Sequence, residues 1–384
     1  MEKIKVGVVG VGFIGKQHID AIRRIPGTEI VALADSHEAQ GKSICEELSI
    51  PRFYNNHIDL IVNEKPDVIH NCTPNHWHYG ICEDAIRHKI NVYCEKPLAN
   101  HSEETEILCK LVQKHNCFAA VNFNYRYNAM IREMHERINS VNTDALEEWG
   151  RTFLIRGHYL QDWMMYDTDY NWRCIPELGG ASRVIADVGS HWFDTVQYIT
   201  GKKIVRVFAD LETVIKQRKK PAVPTGDFDG RADELVPMVS EDAALIIIEF
   251  EDGVKGQLTV SQVSAGNKNN FGISVDGSHY SMTWEQENPD KLWIGHRVTG
   301  NIMKYAGPEF LHGNAVRYAT LPSGHPAGWS DALTNSIGAF YAAIREESPI
   351  NYATFEDASY IVKIVEACLM SSREGRWVRV ADHH

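Results

Sequence analysis

The sequence predicts an α/β protein: a doubly wound parallel sheet over residues 1–124, then an α+β domain with a largely antiparallel sheet over residues 125–384, its C-terminal helix able to pack back on the first domain. Three observations carry this. Strand-like and helix-like periods alternate regularly up to Asn124. Lys5 to Asp35 form one βαβ pattern around closely spaced glycines. Beyond Trp149 strand-like runs lack intervening helices, and Asp252-Gly253 and Asp276-Gly277 are hairpin signals.

The first strand is the Val-rich run Lys5 to Val9. It leads into Gly10, Gly12 and Gly15 in G-x-G-x-x-G spacing, with Phe13 and Ile14 opening a helical run. Gly10 permits the tight turn, Gly12 lets backbone approach a diphosphate, and Gly15 lets the helix pack on the strand. Helix N-terminal amides then face the phosphate charge. The second strand, Glu29 to Ala34, ends in Asp35, 20 residues beyond Gly15, where a carboxylate accepts hydrogen bonds from an adenosine ribose. A dinucleotide is thus the expected cofactor. Its identity is NAD rather than NADP, because Asp35 repels a 2′-phosphate and Ser36-His37-Glu38 contain no Arg to receive one.

Composition limits the alternatives. The chain has 384 residues, 43% of them hydrophobic, enough for two domains with buried cores. A net charge of −12, with no basic stripe interleaved with aromatics, argues against nucleic acid as a partner. No apolar stretch reaches membrane-spanning length and no signal segment precedes the first strand, so a cytoplasmic location with no membrane partner is expected. The eight cysteines contain no C-x-x-C pair and are read as reduced packing residues, with no metal. His383 and His384 are set aside as a tag remnant.

Further elements follow in order. A helix at Glu38 to Leu48, a short strand at Pro51 to Tyr54 and a helix ending near Lys65 precede the buried strand Pro66 to Cys72. Thr73-Pro74-Asn75-His76-Trp77-His78 then lies at a strand's carboxyl end, where open α/β sheets bind ligands; helix capping by Thr73 or Asn75 is compatible with that role. Strand Asn91 to Cys94 delivers Glu95-Lys96-Pro97 to the same edge. A Lys leaving a buried strand beside a cofactor stabilises an alkoxide, or acts as an acid once burial lowers its pKa. Helix Ser102 to Asn116 and strand Phe118 to Val121 follow, and Asn122-Phe123-Asn124-Tyr125-Arg126 closes the domain.

In the second domain, Met130 to Ile138 has helical spacing. Strands are expected at 151–158, 203–214, 243–250 and 254–263. Lys216 to Val239 reads as a polar loop whose Lys216, Arg218, Lys219 and Lys220 form a solvated cluster. Ser182 to Ile199 reads as one helix with Asp187, His191 and Asp194 on one face, at i, i+4 and i+7. Flanking glycines and apolar residues point to burial of that face. Gly189 within it, costing about 1 kcal/mol relative to Ala, implies close approach of another backbone or of substrate. His158, Tyr159, Gln161, Asp162 and Trp163, with His325, Trp329 and Asp331, supply aromatic faces and carboxylates suited to a polyhydroxylated ring; for Trp163 and Trp329 core packing is the equal alternative. Helices at 331–346 and 355–373 close the chain.

Gly10-x-Gly12-x-x-Gly15, Thr73-Pro74-Asn75-x-x-His78, Glu95-Lys96-Pro97, Trp172-Arg173 and Asp187-x-Gly189-x-His191-x-x-Asp194, in this order, resemble the Gfo/Idh/MocA family of glucose-fructose oxidoreductase and inositol dehydrogenase relatives. The resemblance covers nearly the whole chain. It implies an N-terminal Rossmann fold, an open-faced second sheet serving as a subunit interface in a homodimer or homotetramer, and oxidation of a sugar or cyclitol. It makes Lys96, Asp187 and His191 the catalytic set, and places Thr73, Asn75, Glu95, Trp172 and Arg173 beside the nicotinamide; Pro74, His78 and Asn124 join the cofactor side and Arg126 the substrate side. His191 is then the general base toward a ring hydroxyl, Lys96 stabilises the alkoxide, and Asp187 orients His191 or substrate. Two other readings stand beside this one: an NAD-dependent glycoside hydrolase using transient oxidation, and a non-catalytic NAD-binding regulator.

Overall fold

The computed structural model describes residues 3–139, 148–221 and 232–380. His383, His384 and residues 222–231 of the polar insertion lie outside them. The chain packs as two compact units. One holds residues 1–123, 177–180 and 333–362, and the other residues 124–176, 181–332 and 363–384.

The first unit alternates strand and helix: β1 (Ile4–Val9), α1 (Phe13–Arg23), β2 (Thr28–Ala34), α2 (Glu38–Glu47), β3 (Phe53–Tyr54), α3 (His57–Glu64), β4 (Val68–Asn71), α4 (His78–Arg87), β5 (Asn91–Cys94), α5 (Ser102–His115) and β6 (Ala119–Val121). Its six strands are parallel in the order β3-β2-β1-β4-β5-β6. β4 is buried along its whole length, as a strand covered on both faces requires. This order brings the carboxyl ends of β1, β4 and β5 side by side, at the point where the strand order reverses.

The chain continues with α6 (Ala129–Asn139) and β7 (Thr152–Leu160) of the second unit and the short α7 (Pro176–Gly179), of which 177–179 belong to the first unit. A five-residue π turn, Ile185–Gly189, leads into α8 (Ser190–Thr200). Then come β8 (Ile204–Glu212), β9 (Gln217–Pro221), β10 (Ala232–Pro237), β11 (Ala243–Phe250), β12 (Lys255–Ser261), β13 (Asn270–Gly277), β14 (Ser281–Glu285), β15 (Lys291–Gly295), β16 (Ile302–Tyr305), α9 (Trp329–Ile344), α10 (Phe355–Glu374) and β17 (Val378–Arg379). Nine strands form one sheet in the order β16-β15-β14-β13-β7-β12-β11-β8-β17, antiparallel except where β7 meets β12. Alternation along β11 buries Ala244, Ile246 and Ile248 on one face and leaves Leu245 and Ile247 exposed on the other. α8 covers the buried face: Trp192 lies against Gly157 and donates to the Gly272 carbonyl.

The structure departs from several expectations. The insertion is a β9–β10 hairpin rather than a loop, and Arg218 is fully buried rather than solvated. β14, β15 and β16 extend the second sheet beyond the last strand read from the sequence. Residues 333–362 lie in the first unit, where Tyr341 meets His70, Ser336 meets Tyr93, and the amide of Val121 donates to the Ala353 carbonyl. The helix around Asp187 carries a π turn, so the i, i+4, i+7 row counted on α-helical spacing does not run through it. Gly189 is packed on the side chains of Ile185 and Phe193, not on another backbone.

No helix among the described residues is long and apolar enough to cross a membrane.

Candidate active site

The carboxyl edge of the first sheet holds three of the motifs. After β1, Gly10 has φ +86°, and a Cβ there would stand 2.7 Å from the Cys72 carbonyl oxygen. A Cβ at Gly15 would collide with the Gly10 carbonyl oxygen, so only glycine lets α1 start this close to β1. Gly12, by contrast, has open space around it and begins α1 without a side-chain cap. A turn with room at its second glycine and uncapped helix amides fits a diphosphate. Asp35, at the end of β2, accepts from the Val11 amide (2.9 Å) and the His37 amide (2.9 Å), which holds its carboxylate beside the same turn. Phe13 is exposed and Ser36 meets the His37 ring.

After β4, Thr73 donates its hydroxyl to Asn71 (2.7 Å) and Asn75 donates its amide to the Gly179 carbonyl (3.1 Å). Pro74 precedes the one-turn helix Asn75–Trp77. His78 is fully buried, with Nδ1 2.7 Å from the Pro97 carbonyl and Nε2 2.8 Å from the Thr73 carbonyl. Burial lowers its pKa despite both carbonyls. His78 therefore fastens the Thr73 turn to the Lys96-Pro97 turn; the open cofactor edge is left to the residues around it.

Glu95 is likewise turned inward. Its Oε1 accepts from Asn122 (2.6 Å) and faces His18 Nε2 (2.9 Å), while Oε2 accepts from the Lys96 amide (3.2 Å). His18 Nδ1 lies 2.9 Å from His70 Nδ1, and His70 Nε2 lies 2.7 Å from the Tyr341 hydroxyl. Burial alone would raise the Glu95 carboxyl, but hydrogen bonds from His18 and Asn122 and the charges of His18 and Lys96 bring it down to about 2. Burial first, then the neighbouring His18, holds His70 well below the ordinary imidazole range. Lys96 leaves β5 from this anchored point, half-buried.

The depressed Glu95 carboxyl makes stability depend on pH. The folded carboxyl binds a proton less readily than the unfolded one, so its contribution is present above about 4.5 and lost as pH falls toward about 2. That contribution is on the order of 3 kcal/mol. Urea unfolding of wild type and E95Q should differ by most of that amount near neutral pH, with the gap closing across the acid window; a gap that stays constant contradicts the assignment.

The second unit gathers the other half of the expected residues. His191, at the start of α8, is buried with its ring 5.0 Å from that of Tyr125, edge to face. Tyr125 and Tyr159 share a hydroxyl contact of 2.8 Å, Tyr159 donates to Asn269 (2.6 Å), and Asn269 donates back to Tyr125 (3.1 Å). Gln161 joins through Asn269, and the Trp163 indole donates to Gln161 (2.8 Å). Burial raises both tyrosines, Tyr159 well above the ordinary phenol range, so they stay neutral hydrogen-bonding groups. Asp187 accepts from Arg173 Nε (3.3 Å) and from Gln262 Nε2 (2.8 Å), and the Arg173 guanidinium stacks 4.3 Å over the Trp172 ring and 5.7 Å from that of Trp163.

Other expected residues have different commitments. Arg126 grips buried Asp194 with Nε (2.7 Å) and Nη2 (2.5 Å), which also separates Asp194 from the Asp187 contacts. Asp162 accepts from Lys268 (2.6 Å) and the Gly266 amide, folding the loop after β12. His158 meets Asn270 (2.9 Å). Asn124 is buried at the start of the unit. His325 is exposed and bonds within its own turn, Trp329 is half-buried at the start of α9, and Asp331 accepts from the Gly328 amide as that helix begins. Sequence reasoning missed His18, Asn122, Tyr125, Asn269 and Gln262 as site-forming residues. Asn122 and Tyr125, inside the stretch closing the first domain, carried some signal; His18, Asn269 and Gln262 acquire roles through pairings distant in sequence.

Comparison with known proteins is consistent across its three forms. A family model described as an oxidoreductase family with an NAD-binding Rossmann fold matches residues 4–123, and the model of the Gfo/Idh/MocA C-terminal domain matches residues 145–283, together more than half of the chain. Levoglucosan dehydrogenase of Pseudarthrobacter phenanthrenivorans is 26% identical over 397 residues, covering 99% of each chain. Among solved structures, a levoglucosan dehydrogenase in complex with NADH and levoglucosan matches with a TM-score of 0.87 and 24% identity, covering 99% of this chain and 100% of that one. An inositol dehydrogenase homolog complexed with NAD+, from Azotobacter vinelandii, matches with a TM-score of 0.86 and 24% identity over 98% and 97%. These structural likenesses show the fold. Matched by both family models over most of its length, the chain belongs to the Gfo/Idh/MocA oxidoreductase family.

Proposed function

We propose that this protein is an NAD-dependent dehydrogenase that oxidises a secondary alcohol of a sugar or cyclitol to a ketone, releasing NADH and a proton. The observation that carries the reading is the carboxyl edge of the first sheet. There a glycine turn with open space at Gly12, the Asp35 carboxylate and the half-buried Lys96 follow β1, β2 and β5 at the same edge. The relatives named above act on an anhydrosugar or resemble an inositol dehydrogenase, which suits the aromatic and amide groups around His191.

Bound NAD supplies the hydride acceptor. The chain's own residues divide the remaining work. Gly10, Gly12 and Gly15 with the first amides of α1 hold the diphosphate, joined by Phe13 and Ile14, and Asp35 and Ser36 hold the adenosine ribose. Thr73, Pro74, Asn75, Lys96, Asn124, Trp172 and Arg173 line the nicotinamide. His191 takes the hydroxyl proton, Lys96 stabilises the developing alkoxide with its ammonium, and Asp187 orients the pair. Tyr159, Trp163 and His158 shape the substrate side, whereas Arg126 we assign to holding Asp194.

The exposed apolar face of the second sheet, with Phe153, Leu154, Leu245 and Ile247, supports a homo-oligomer assembled through that sheet. Among the described residues no disulfide joins the eight cysteines, and burial raises the thiols of Cys72, Cys94 and Cys368, in keeping with a reducing compartment such as the cytoplasm.

The test is a panel of sugars and cyclitols, levoglucosan and myo-inositol among them, incubated with NAD or NADP. Steady appearance of the reduced cofactor with NAD, much slower with NADP, is the expected result. Sugar release from a glycoside without accumulating NADH replaces this reading with a hydrolase. NAD binding with no turnover of any member replaces it with a regulator.

A further inference from the structure

Asp187 is held from behind by a line of fully buried groups in the second unit. Gln262, directly after β12, has no exposed surface; its Nε2 donates to Asp187 Oδ2 (2.8 Å) and its Oε1 accepts from Arg183 Nη1 (2.9 Å). A guanidinium only donates, so the Gln262 carbonyl oxygen must face Arg183 and its NH2 must face Asp187. The amide has one allowed orientation. Arg183 is fixed in turn by Asp242, which also takes Arg218 Nη2 (2.7 Å) and the Ile215 amide (2.7 Å). The Gln262 amide nitrogen donates to the Asp242 carbonyl (2.9 Å), closing the arrangement through the backbone.

We propose that Gln262 is a positioning residue: polarised and locked by Arg183, its amide fixes the Asp187 carboxylate in the one rotamer that also receives Arg173. The proposal rests on the assignment of Asp187 to the reaction made above. It adds that the orientation of Asp187 is imposed by a residue that touches neither substrate nor cofactor.

Two substitutions separate positioning from packing. Q262E keeps an oxygen for Arg183 and adds a charge that suits it, but turns the donor facing Asp187 into an acceptor. Q262M removes both contacts while keeping the volume. If Gln262 only fills space, Q262M, which keeps its volume, has wild-type kcat. If it positions Asp187, Q262M loses kcat about 10- to 100-fold with the KM for NAD unchanged, and folded Q262E, which sets a second carboxylate against Asp187, loses at least as much. Crystals of Q262E should then show the Asp187 carboxylate rotated off residue 262, a readout that needs no substrate. Should Q262E not fold, Q262N, one methylene shorter and neutral, carries the same crystallographic expectation.

D187N separates the two layers of the argument. Full activity of D187N, measured with whichever of levoglucosan and myo-inositol reduces NAD, removes Asp187 from the reaction, while the crystals still decide what Gln262 does. An Asp187 carboxylate unmoved in Q262E, or wild-type kcat in Q262E alongside an inactive D187N, overturns the positioning role.

Discussion

K96A should lose about 10²- to 10⁴-fold in kcat while binding NAD as wild type does. The end of β5 is anchored by Glu95 on His18 and Asn122, with the Lys96 amide held on the same carboxylate. His78 ties the following Pro97 back to the Thr73 turn. These contacts persist without the Lys96 side chain, because they involve backbone or other residues. The loss is therefore confined to an interaction made in the transition state, and it appears in kcat and kcat/KM together. K96R keeps the charge but spreads it over a planar fork, so only partial recovery is expected. NAD affinity from quenching of tryptophan fluorescence, with kcat from NADH absorbance, checks both halves. Unchanged turnover in K96A would remove Lys96 from the mechanism.

D242A should be the most damaging substitution to stability, at about 3–5 kcal/mol. Asp242 is fully buried and takes a guanidinium from each of Arg183 and Arg218, which are themselves 2% and 0% exposed. Its removal leaves two charged groups in the interior without their counter-ion. Neighbouring Glu241 does not take over: its carboxyl is raised by burial, and its Oε1 already accepts from Ser182 and the amides of Arg183 and Ile185. D242N, which keeps an acceptor oxygen, should fall between wild type and D242A. Urea unfolding followed by circular dichroism measures the effect, and a D242A midpoint corresponding to a change under about 0.5 kcal/mol would contradict it.

The pattern of what could be read from the sequence has a physical basis. The first sheet follows from local rules: apolar runs bounded by turn residues, glycines where a Cβ collides with backbone, and an acid one βαβ unit downstream. Asp187, His191 and Lys96 were legible for the same reason, each sitting in a short motif. Arg218 was not. Four basic residues within five positions read as a solvated face, and the carboxylate that buries Arg218 is 24 residues away, beyond a hairpin the sequence did not announce. Gln262 looks like an ordinary strand-end polar residue until Arg183 and Asp187 are brought to either side of it. His78 and Glu95 were expected to face the cofactor because their motifs do, yet both spend their hydrogen bonds inward, shaping the edge on which neighbours are displayed. The π turn at Ile185–Gly189 explains the remaining difference, since counting by α-helical spacing assumes the regular turn that this segment lacks.

We propose that one amine, Lys96, and one imidazole, His191, act on the same hydroxyl. A crystal structure with NAD and an oxidisable sugar or cyclitol tests it most directly. The expected result is a ring carbon facing the nicotinamide, with its hydroxyl oxygen within hydrogen-bond distance of both Lys96 Nζ and a His191 ring nitrogen, and Asp187 in contact with His191 or substrate. A sugar bound with that hydroxyl against other residues, and Lys96 or His191 out of reach of it, would contradict the account.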